Sequence, residues 1–377
     1  MKIPGKPRIA LLTPRFGIID RGAEVFTYEF AKNIRDYFEV TIYARKKTRR
    51  DTTVSSFRNT TEGFTVYKVP CITAENKLIN FIYKFAPHLF DRFFINPQGI
   101  EMLTFSLIVL PRLLLRNYDI VFPHNGVWGA LVARIVRVIR NTPFVYISHG
   151  GIEPMIARHQ PNAYFVLNKS IEQWYRRFFP QLKVIYVPNP VDTTRFTLQG
   201  EKMKLDLESP IIITVAALIP VKRIDCAIRA VARLKKGSLL VVGHGVLKNE
   251  LLGLGNKLLG KERFKIVEVG SSEMPFYYRT ADVFTLAARE EPGSLAPLEA
   301  MACGLPIVVN DEDHQRFITG NGKAGIIVDT EDIDAYSKVL KRALNTHFGN
   351  LPRHQALKFS WDRMIKIYKK ELLSLTR

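Results

Sequence analysis

The sequence predicts an α/β protein made of two doubly wound domains, each built on a parallel sheet. Short apolar runs of strand length alternate with segments whose apolar residues recur at helical spacing, and glycine-bearing loops separate them. This series starts twice, at residues 8–13 and again at 211–218. A chain of 377 residues is long enough for two domains that each bury a core.

The first domain is predicted to cover residues 1–192. Its first strand is followed by the loop that carries Gly22, and then by a helix whose apolar face starts at Val25. Further strands are predicted at 39–43, 65–69, 119–122, 163–167 and 184–187, with one more that ends at His149, and helices are predicted from Gly126 and over 170–179. In such a sheet, ligands bind at the carboxyl ends of the strands. Gly22 and His149 therefore lie where a ligand is expected.

Residues 77–116 of this domain interleave aromatic and basic side chains. Two interpretations fit a helical region of this kind. In the favoured one, the aromatic residues pack in a core under long helices. In the other, the segment is a basic amphipathic surface that lies on an anionic membrane.

A break follows at residues 188–192, where two prolines and Asn189 after a strand indicate a turn. The polar stretch 193–209 is predicted to be a linker, 210–359 the second domain, and 360–377 a final basic helix. Strands are predicted at 211–218, 239–242, 266–269, 283–286, 307–309 and 325–328, and helices from Asp225, over 294–303 and over 331–344. Asp311-Glu312-Asp313 is interpreted as a solvated or helix-capping segment and not as a metal site.

Composition limits the class of protein. Hydrophobic residues make up 47% of the chain, which argues against disorder. The three cysteines, Cys71, Cys226 and Cys303, are far apart and are predicted to be free thiols in a reducing compartment. We expect no signal peptide, and the longest apolar segment, 102–110, is expected to end at Pro111, too short to span a bilayer. The sequence thus predicts a cytoplasmic protein, with a peripheral position on the inner face of the membrane as the alternative.

The chain is strongly basic, with 55 Lys and Arg against 35 Asp and Glu and a net charge of +20. Such an excess attracts nucleic acid, an anionic membrane surface or phosphorylated substrates. Because no DNA- or RNA-reading motif accompanies the charge, no specific nucleic-acid partner is predicted.

The most informative stretch follows the predicted strand 283–286. Ser294 is a plausible N-cap of the next helix, which would leave the backbone N–H groups near Ser294, Leu295 and Ala296 free to bind phosphate. Glu291 precedes this site and Glu299 follows it by one helical turn. Carboxylates accept hydrogen bonds from neighbouring hydroxyls, so a phosphate flanked by two polyols, as in a nucleotide-sugar, fits the pattern.

Glu291, seven further residues, and then Glu-Ala-Met-Ala-x-Gly-x-Pro from Glu299 resemble the signature of the retaining glycosyltransferases of family 4 (glycosyl transferases group 1). The resemblance implies the GT-B fold, in which two Rossmann-like domains face each other across a cleft and the final helix, 360–377 here, packs back on the N-terminal domain. It also implies metal-independent transfer of a sugar, with retention of configuration, from a UDP-, GDP- or ADP-linked donor. The acceptor would be a hydroxyl of a glycan or a lipid-linked molecule, and no cofactor beyond the nucleotide-sugar is expected.

The resemblance also implies roles for individual residues. Glu291 and His149 would contact the donor sugar, Glu299 the ribose, and Lys222, helped by Arg223, the diphosphate leaving group. The remaining donor contacts would come from Gly22, Gly243, Gly293, Ser294, Leu295 and Ala296. The chain departs from the family at Gly293-Ser294, where Phe-Gly is usual, and at Ala217, where an arginine is common.

Two other functions remain open from the sequence. A nucleotide-sugar 2-epimerase shares this architecture and needs no acceptor. A non-catalytic protein that binds anionic polymers or membranes would account for the charge and for the replaced family residues.

Overall fold

A computed structural model of the chain describes residues 5–49, 51, 55, 63–124, 126–149, 151–289 and 293–376. The chain divides into two compact units: Met1–Val187 together with Ile365–Arg377, and Pro188–Met364. Each unit is a parallel α/β sheet structure, as the sequence predicts.

Within its described residues, the first unit contains seven parallel strands. They are β1 (Arg8–Leu12), β2 (Glu39–Arg45), β3 (Thr65–Val69), β4 (Ile120–Pro123), β5 (Val145–Ser148), β6 (Ala163–Val166) and β7 (Val184–Tyr186). The spatial orders are β3-β2-β1-β4 and β5-β6-β7, and a parallel bridge between Val121 and Phe144 joins the two groups. The order reverses between β1 and β4, which is the point where doubly wound sheets bind ligands.

The helices of this unit are α1 (Gly22–Ile34), α2 (Lys77–Tyr83), α3 (Pro87–Arg92), α4 (Pro97–Leu115), α5 (Gly126–Arg140), α6 (Pro154–Ala157) and α7 (Lys169–Phe178). Asparagine side chains cap three of them: Asn76, Asn96 and Asn168 accept hydrogen bonds from the first backbone N–H groups of α2, α4 and α7.

The apolar segment expected to end at Pro111 continues to Leu115 within α4. Pro111 is exposed, so the carbonyl group that its missing N–H leaves unpaired can face water, and the helix continues. By length and composition, the segment Pro87–Leu115 could cross a membrane. Of its most apolar stretch of 18 residues, 28% is buried. Core helices of soluble proteins meet the same criterion.

The favoured interpretation of residues 77–116, aromatic core packing, is wrong for α2 and α3, which contain no buried residue. The side chains that enter the core come from α4 instead, among them Phe105, Val109 and Leu113. The helix α2 contacts α4, but most of the large apolar side chains of α2 and α3 are exposed.

The part of the second unit that the structure describes has six parallel strands. They are β8 (Ile211–Val215), β9 (Ser238–Val242), β10 (Phe264–Val267), β11 (Val283–Leu286), β12 (Ile307–Asn310) and β13 (Gly325–Val328). Their order is β10-β9-β8-β11-β12-β13, which places the reversal between β8 and β11. Ile213 and Ile212 belong to core clusters on opposite faces, so both faces of the sheet are covered.

The remaining helices are α8 (Ile224–Ala232), α9 (Lys248–Leu259), α10 (Met274–Thr280), α11 (Ala296–Ala302), α12 (Asp313–Ile318), α13 (Ile333–Asn345), α14 (Leu351–Ala356) and α15 (Trp361–Ser374), with short 3₁₀ turns at Pro220–Lys222, Ser271–Glu273 and Leu357–Phe359. The end of α15 packs in the first unit, where the ring of Tyr368 lies 5.4 Å from Phe30 and 4.8 Å from Phe165. Glu371 pairs there with Lys183 at 2.5 Å.

Candidate functional site

The loops that follow β8 and β11 meet at the carboxyl edge of the second sheet. Lys222 ends the 3₁₀ turn after β8, and the backbone N–H of Arg289, after β11, donates to the carbonyl of Val221 at 3.4 Å. The lysine loop therefore contacts the segment that leads into the predicted phosphate site. Glu291, the predicted sugar contact, lies outside the described residues.

Arg223 and Arg289 share one carboxylate. Glu331 pairs with Arg223 at 2.7 Å and also with Arg289. The structure thus gives Arg223 a protein partner, and its contact with a diphosphate stays a prediction. Arg289 is not among the predicted site residues, although its place shortly after β11 could have indicated it.

Glu299 is held from inside the second unit. The hydroxyl of Tyr278, on α10, donates to Oε2 of Glu299 at 2.9 Å, and Tyr278 is fully buried. Burial raises the pKa of the Glu299 carboxyl, while the charge of Arg195 and the Tyr278 hydrogen bond oppose that rise. A carboxylate oriented in this way can still accept hydrogen bonds from a ligand.

The predicted N-cap at Ser294 is wrong. The helix α11 starts at Ala296, its N-cap position is Leu295, and no side-chain cap is present among the described residues. Leu295 has helical backbone angles although it precedes the helix, and Pro297 occupies the first turn, where its missing N–H costs no hydrogen bond. The proposed contacts of Gly293 and of the N–H groups at 294–296 stay predictions.

Asn189 anchors the start of this segment. Its Nδ2 donates to the carbonyl of Gly293 at 2.5 Å, and the side chain is buried. Sequence reasoning interpreted Asn189 only as a turn residue, because nothing local to it points to a partner more than a hundred positions away.

The structure gives Gly243 a packing role. A Cβ atom there would lie 1.9 Å from the carbonyl oxygen of Ala216, so the loops after β8 and β9 could not approach each other with a larger residue. Its N–H donates to the carbonyl of Val267 at 2.9 Å. A contact between Gly243 and the donor remains a prediction.

In the first unit, Gly22 is the first residue of α1. A Cβ atom at Gly22 would meet no heavy atom of the described chain within 4 Å, so space is open beside it. Burial raises the pKa of the neighbouring Glu24 carboxyl to about 7, which its own backbone N–H and Arg21 oppose. The role of Gly22 stays a prediction.

His149 follows β5 and packs beside the same helix. Its ring lies 5.0 Å from the ring of Phe26 on α1 and 5.8 Å from that of His124, which it faces at 29°. Burial lowers the pKa of His149 to about 4, so the imidazole is neutral at physiological pH. Its Nε2 makes no hydrogen bond to a described residue, and a neutral imidazole can bind a sugar hydroxyl.

The fold is GT-B: two parallel-sheet α/β units whose arrangement of elements matches solved glycosyltransferase-class structures. The sucrose-phosphate synthase of Thermosynechococcus elongatus superposes with a TM-score of 0.74 over 98% of this chain and 100% of that chain, at 16% identity. At this identity the likeness is one of fold.

Residues 197–357 match the family model described as Glycosyl transferases group 1. The GDP-mannose-dependent alpha-(1-6)-phosphatidylinositol monomannoside mannosyltransferase of Mycolicibacterium smegmatis is 27% identical over 45% of this chain and 50% of that protein. The UDP-Gal:alpha-D-GlcNAc-diphosphoundecaprenol alpha-1,3-galactosyltransferase of Escherichia coli is 24% identical over 65% of this chain and 72% of that protein. The chain thus spans about half the length of the first of these relatives.

Proposed function

We propose that this protein is a retaining glycosyltransferase that moves a sugar from a nucleotide-sugar to an acceptor hydroxyl without a metal ion. The observation that carries the proposal is the meeting of two loops at the reversal between β8 and β11, one with Lys222 and the other leading to Glu299. The family match at residues 197–357 supports it. The named relatives use GDP-mannose and UDP-galactose, so UDP-, GDP- and ADP-sugars are the donors to test.

In the proposed reaction, the bond between the sugar and the diphosphate breaks while the acceptor oxygen bonds to the same face of the sugar. The departing diphosphate takes the acceptor proton, so no side chain needs to act as general base. Lys222 would stabilise the charge that develops on the diphosphate. Glu299 would bind the ribose, and Glu291 and the neutral His149 would orient the sugar.

The test combines binding and product analysis. A panel of UDP-, GDP- and ADP-sugars is expected to contain one donor type that raises the melting temperature, because a ligand that binds only the folded state stabilises it. The product formed with that donor and an added acceptor should keep the anomeric configuration. Absence of any stabilising donor would contradict the proposal.

The relatives named above are transferases, so the epimerase and the non-catalytic binding protein are not favoured. Incubation of the donor without an acceptor tests the epimerase directly. Conversion of the donor to its 2-epimer under those conditions would replace the transferase proposal.

Tyr278→Phe is expected to weaken nucleoside diphosphate binding about 5–30-fold. Loss of the hydroxyl removes the hydrogen bond that orients Glu299, and losing such a buried partner costs about 1–2 kcal/mol. Tyr277→Phe is the matched control, because Tyr277 is a neighbouring buried tyrosine on the same helix. Calorimetric titration with UDP and GDP measures the dissociation constants. Equal dissociation constants in both variants would show that Glu299 does not bind the ribose.

For the acceptor side, we propose that α2 and α3 form a surface that docks on anionic lipid, where a lipid-linked acceptor would be presented. We call it the 77–94 surface. Its exposed large apolar side chains are Leu78, Phe81, Ile82, Phe85, Leu89, Phe93 and Phe94. Lys77, Lys84 and Arg92 lie among them, and this mixture of apolar and basic groups suits the interface of an anionic bilayer.

The double substitution of Phe81 and Phe85 by serine is expected to reduce binding to phosphatidylglycerol-containing vesicles at least tenfold. Each phenylalanine contributes about 1.5–3 kcal/mol when it is buried in an apolar phase. Val246→Ser is the control, because Val246 is 85% exposed in the second unit, outside the surface. Co-sedimentation with vesicles measures binding, and unchanged binding of the double variant would rule out the 77–94 surface as the docking site.

A further inference from the structure

The turn after β5, which carries His149, lies against a buried carboxyl group that the proposed reaction does not use. Glu153 occupies the N-cap position of α6, but its side chain caps nothing there. Its Oε2 lies 2.9 Å from the hydroxyl of Ser148, and its Oε1 lies 3.5 Å from that of Tyr146. Glu153 therefore contacts the strand that ends directly before His149.

The hydrogen bonds around Ser148 determine where the protons must be. The Ser148 hydroxyl contacts both the carbonyl oxygen of Gly151 and the Glu153 carboxyl. A carbonyl oxygen only accepts, and a serine hydroxyl has one proton to donate. If Ser148 donates to Gly151, the bond to Glu153 requires that Glu153 donate, which only the protonated acid can do. An ionised Glu153 would compete with Gly151 for the same proton.

The surroundings favour the neutral acid. The groups that face Glu153 are Tyr146 on β5, Tyr164 on β6 and Tyr175 on α7, and no cation is among the described groups that shift its pKa. The Tyr175 hydroxyl accepts the Glu153 backbone N–H at 2.6 Å and lies 3.0 Å from the Tyr164 hydroxyl. Burial raises the pKa of Glu153 from 4.5 to about 7, against the hydrogen bonds of Ser148 and Tyr146.

The same network reaches the start of α5. The N–H of Gly126 donates to the Tyr146 hydroxyl at 3.2 Å. Glu153 thus connects the turn of His149 with the end of the loop that follows β4, which carries His124.

We propose that Glu153 is a positioning residue that acts as a neutral carboxylic acid, whose proton completes a Glu153–Ser148–Gly151 chain and holds the turn of His149. Ionisation of Glu153 breaks this chain and loosens the turn. The consequence for sugar transfer rests on the proposed function, whereas the protonation of Glu153 does not.

The direction of the pH effect follows from linkage. The folded protein keeps the Glu153 proton up to about pH 7, whereas the unfolded chain releases it near 4.5. The contribution of the Glu153 proton to the free energy of unfolding is therefore complete below pH 4.5 and is lost as the pH rises through 7.

The first experiment compares the wild type with Glu153→Gln, whose amide donates to Ser148 at every pH. Relative to this variant, the melting temperature of the wild type is expected to fall by about 2–4 °C between pH 5 and pH 8. Glu39→Gln, at a surface position of the same unit, should follow the wild type. Parallel melting curves for the wild type and Glu153→Gln across this range would overturn the proposal.

A second measurement does not depend on how well Glu153→Gln folds. The infrared band of protonated carboxyl groups should decline in the wild type between pH 5 and pH 8, with contributions from Glu153 and from Glu24, whose pKa is also raised to about 7. The variant Ser148→Ala, which removes the acceptor of the proposed Glu153 proton, should lose or shift the Glu153 part of that decline and keep the Glu24 part. Identical infrared titrations of the wild type and Ser148→Ala would also overturn the proposal.

The activity readout tests positioning. The transfer rate of the wild type should fall as the pH rises through 7, mainly through kcat, and Glu153→Gln should lack that decrease. The same decrease in both proteins would refute the positioning role. If no protein transfers sugar, the proposed function fails, and the melting and infrared results still decide whether Glu153 is the neutral acid.

Discussion

Replacing Lys222 with alanine is expected to lower kcat for sugar transfer about 10²–10³-fold, because removing one preorganised group that stabilises transition-state charge has an effect of that size. The common family arginine is absent at Ala217, and Arg223 already pairs with Glu331. Lys222, in the turn that follows β8, is the residue proposed to stabilise the leaving diphosphate. Steady-state kinetics with the donor identified by thermal shift measure the loss.

The control for this prediction is Lys257→Ala, since Lys257 is an exposed lysine in the last turn of α9. It should keep the wild-type rate. Circular dichroism and the melting temperature should show that both variants fold normally. Full activity of the Lys222→Ala protein would show that Lys222 does not take part in the reaction. Glu291→Ala is expected to lower kcat by a comparable factor, because Glu291 is the predicted contact of the donor sugar.

Glu101→Ala is expected to lower the free energy of unfolding by about 3–5 kcal/mol, the usual effect of removing one partner from a buried ion pair. The Glu101 side chain on α4 is fully buried. Its Oε1 lies 2.7 Å from Nε of Arg15 and 3.4 Å from Nε of Arg45, and its Oε2 accepts the N–H of Ala74 at 2.8 Å. Without this carboxylate, Arg15 would lose its close partner inside the first unit, and Arg45 would keep only its pairing with Asp51.

The matched control is Glu75→Ala. Glu75 lies 4.0 Å from the same Arg15, but its side chain is 39% exposed, so its removal should cost less than about 1 kcal/mol. Urea unfolding followed by circular dichroism compares the two variants. Equal midpoints would mean that the buried network does not contribute to stability.

The Glu101 network also has a functional consequence. Arg15 lies in the loop between β1 and Gly22, and the N–H of Arg45 donates to the carbonyl of Pro14 in that loop at 2.7 Å. Glu101 therefore fixes the loop between β1 and Gly22, a predicted donor contact, against α4. This helix follows the 77–94 surface in the chain. The proposed membrane contact at that surface and the loop before Gly22 would thus both adjoin α4.

Local patterns predicted most of the fold. The strands at 65–69, 283–286 and 325–328 have the predicted bounds, because a run of apolar or β-branched residues with turn residues at its ends is recognisable within a few positions. The predictions were wrong at the start of one helix and in the choice of which helix enters the core. The helix α11 starts at Ala296 and not directly after Ser294, and α4 supplies the core side chains that were expected from the aromatic residues of α2 and α3.

The sequence by itself determined the alternation of strands and helices, the two doubly wound sheets and the Glu291–Glu299 motif, because each depends on side-chain spacing over a few residues. Only the tertiary structure decided that Tyr278 orients Glu299, that Glu101 joins Arg15 and Arg45, and that Glu153 lies beneath the turn of His149. Those contacts arise from strands and helices packed side by side, and the order of residues along the chain does not specify which buried polar groups then face each other.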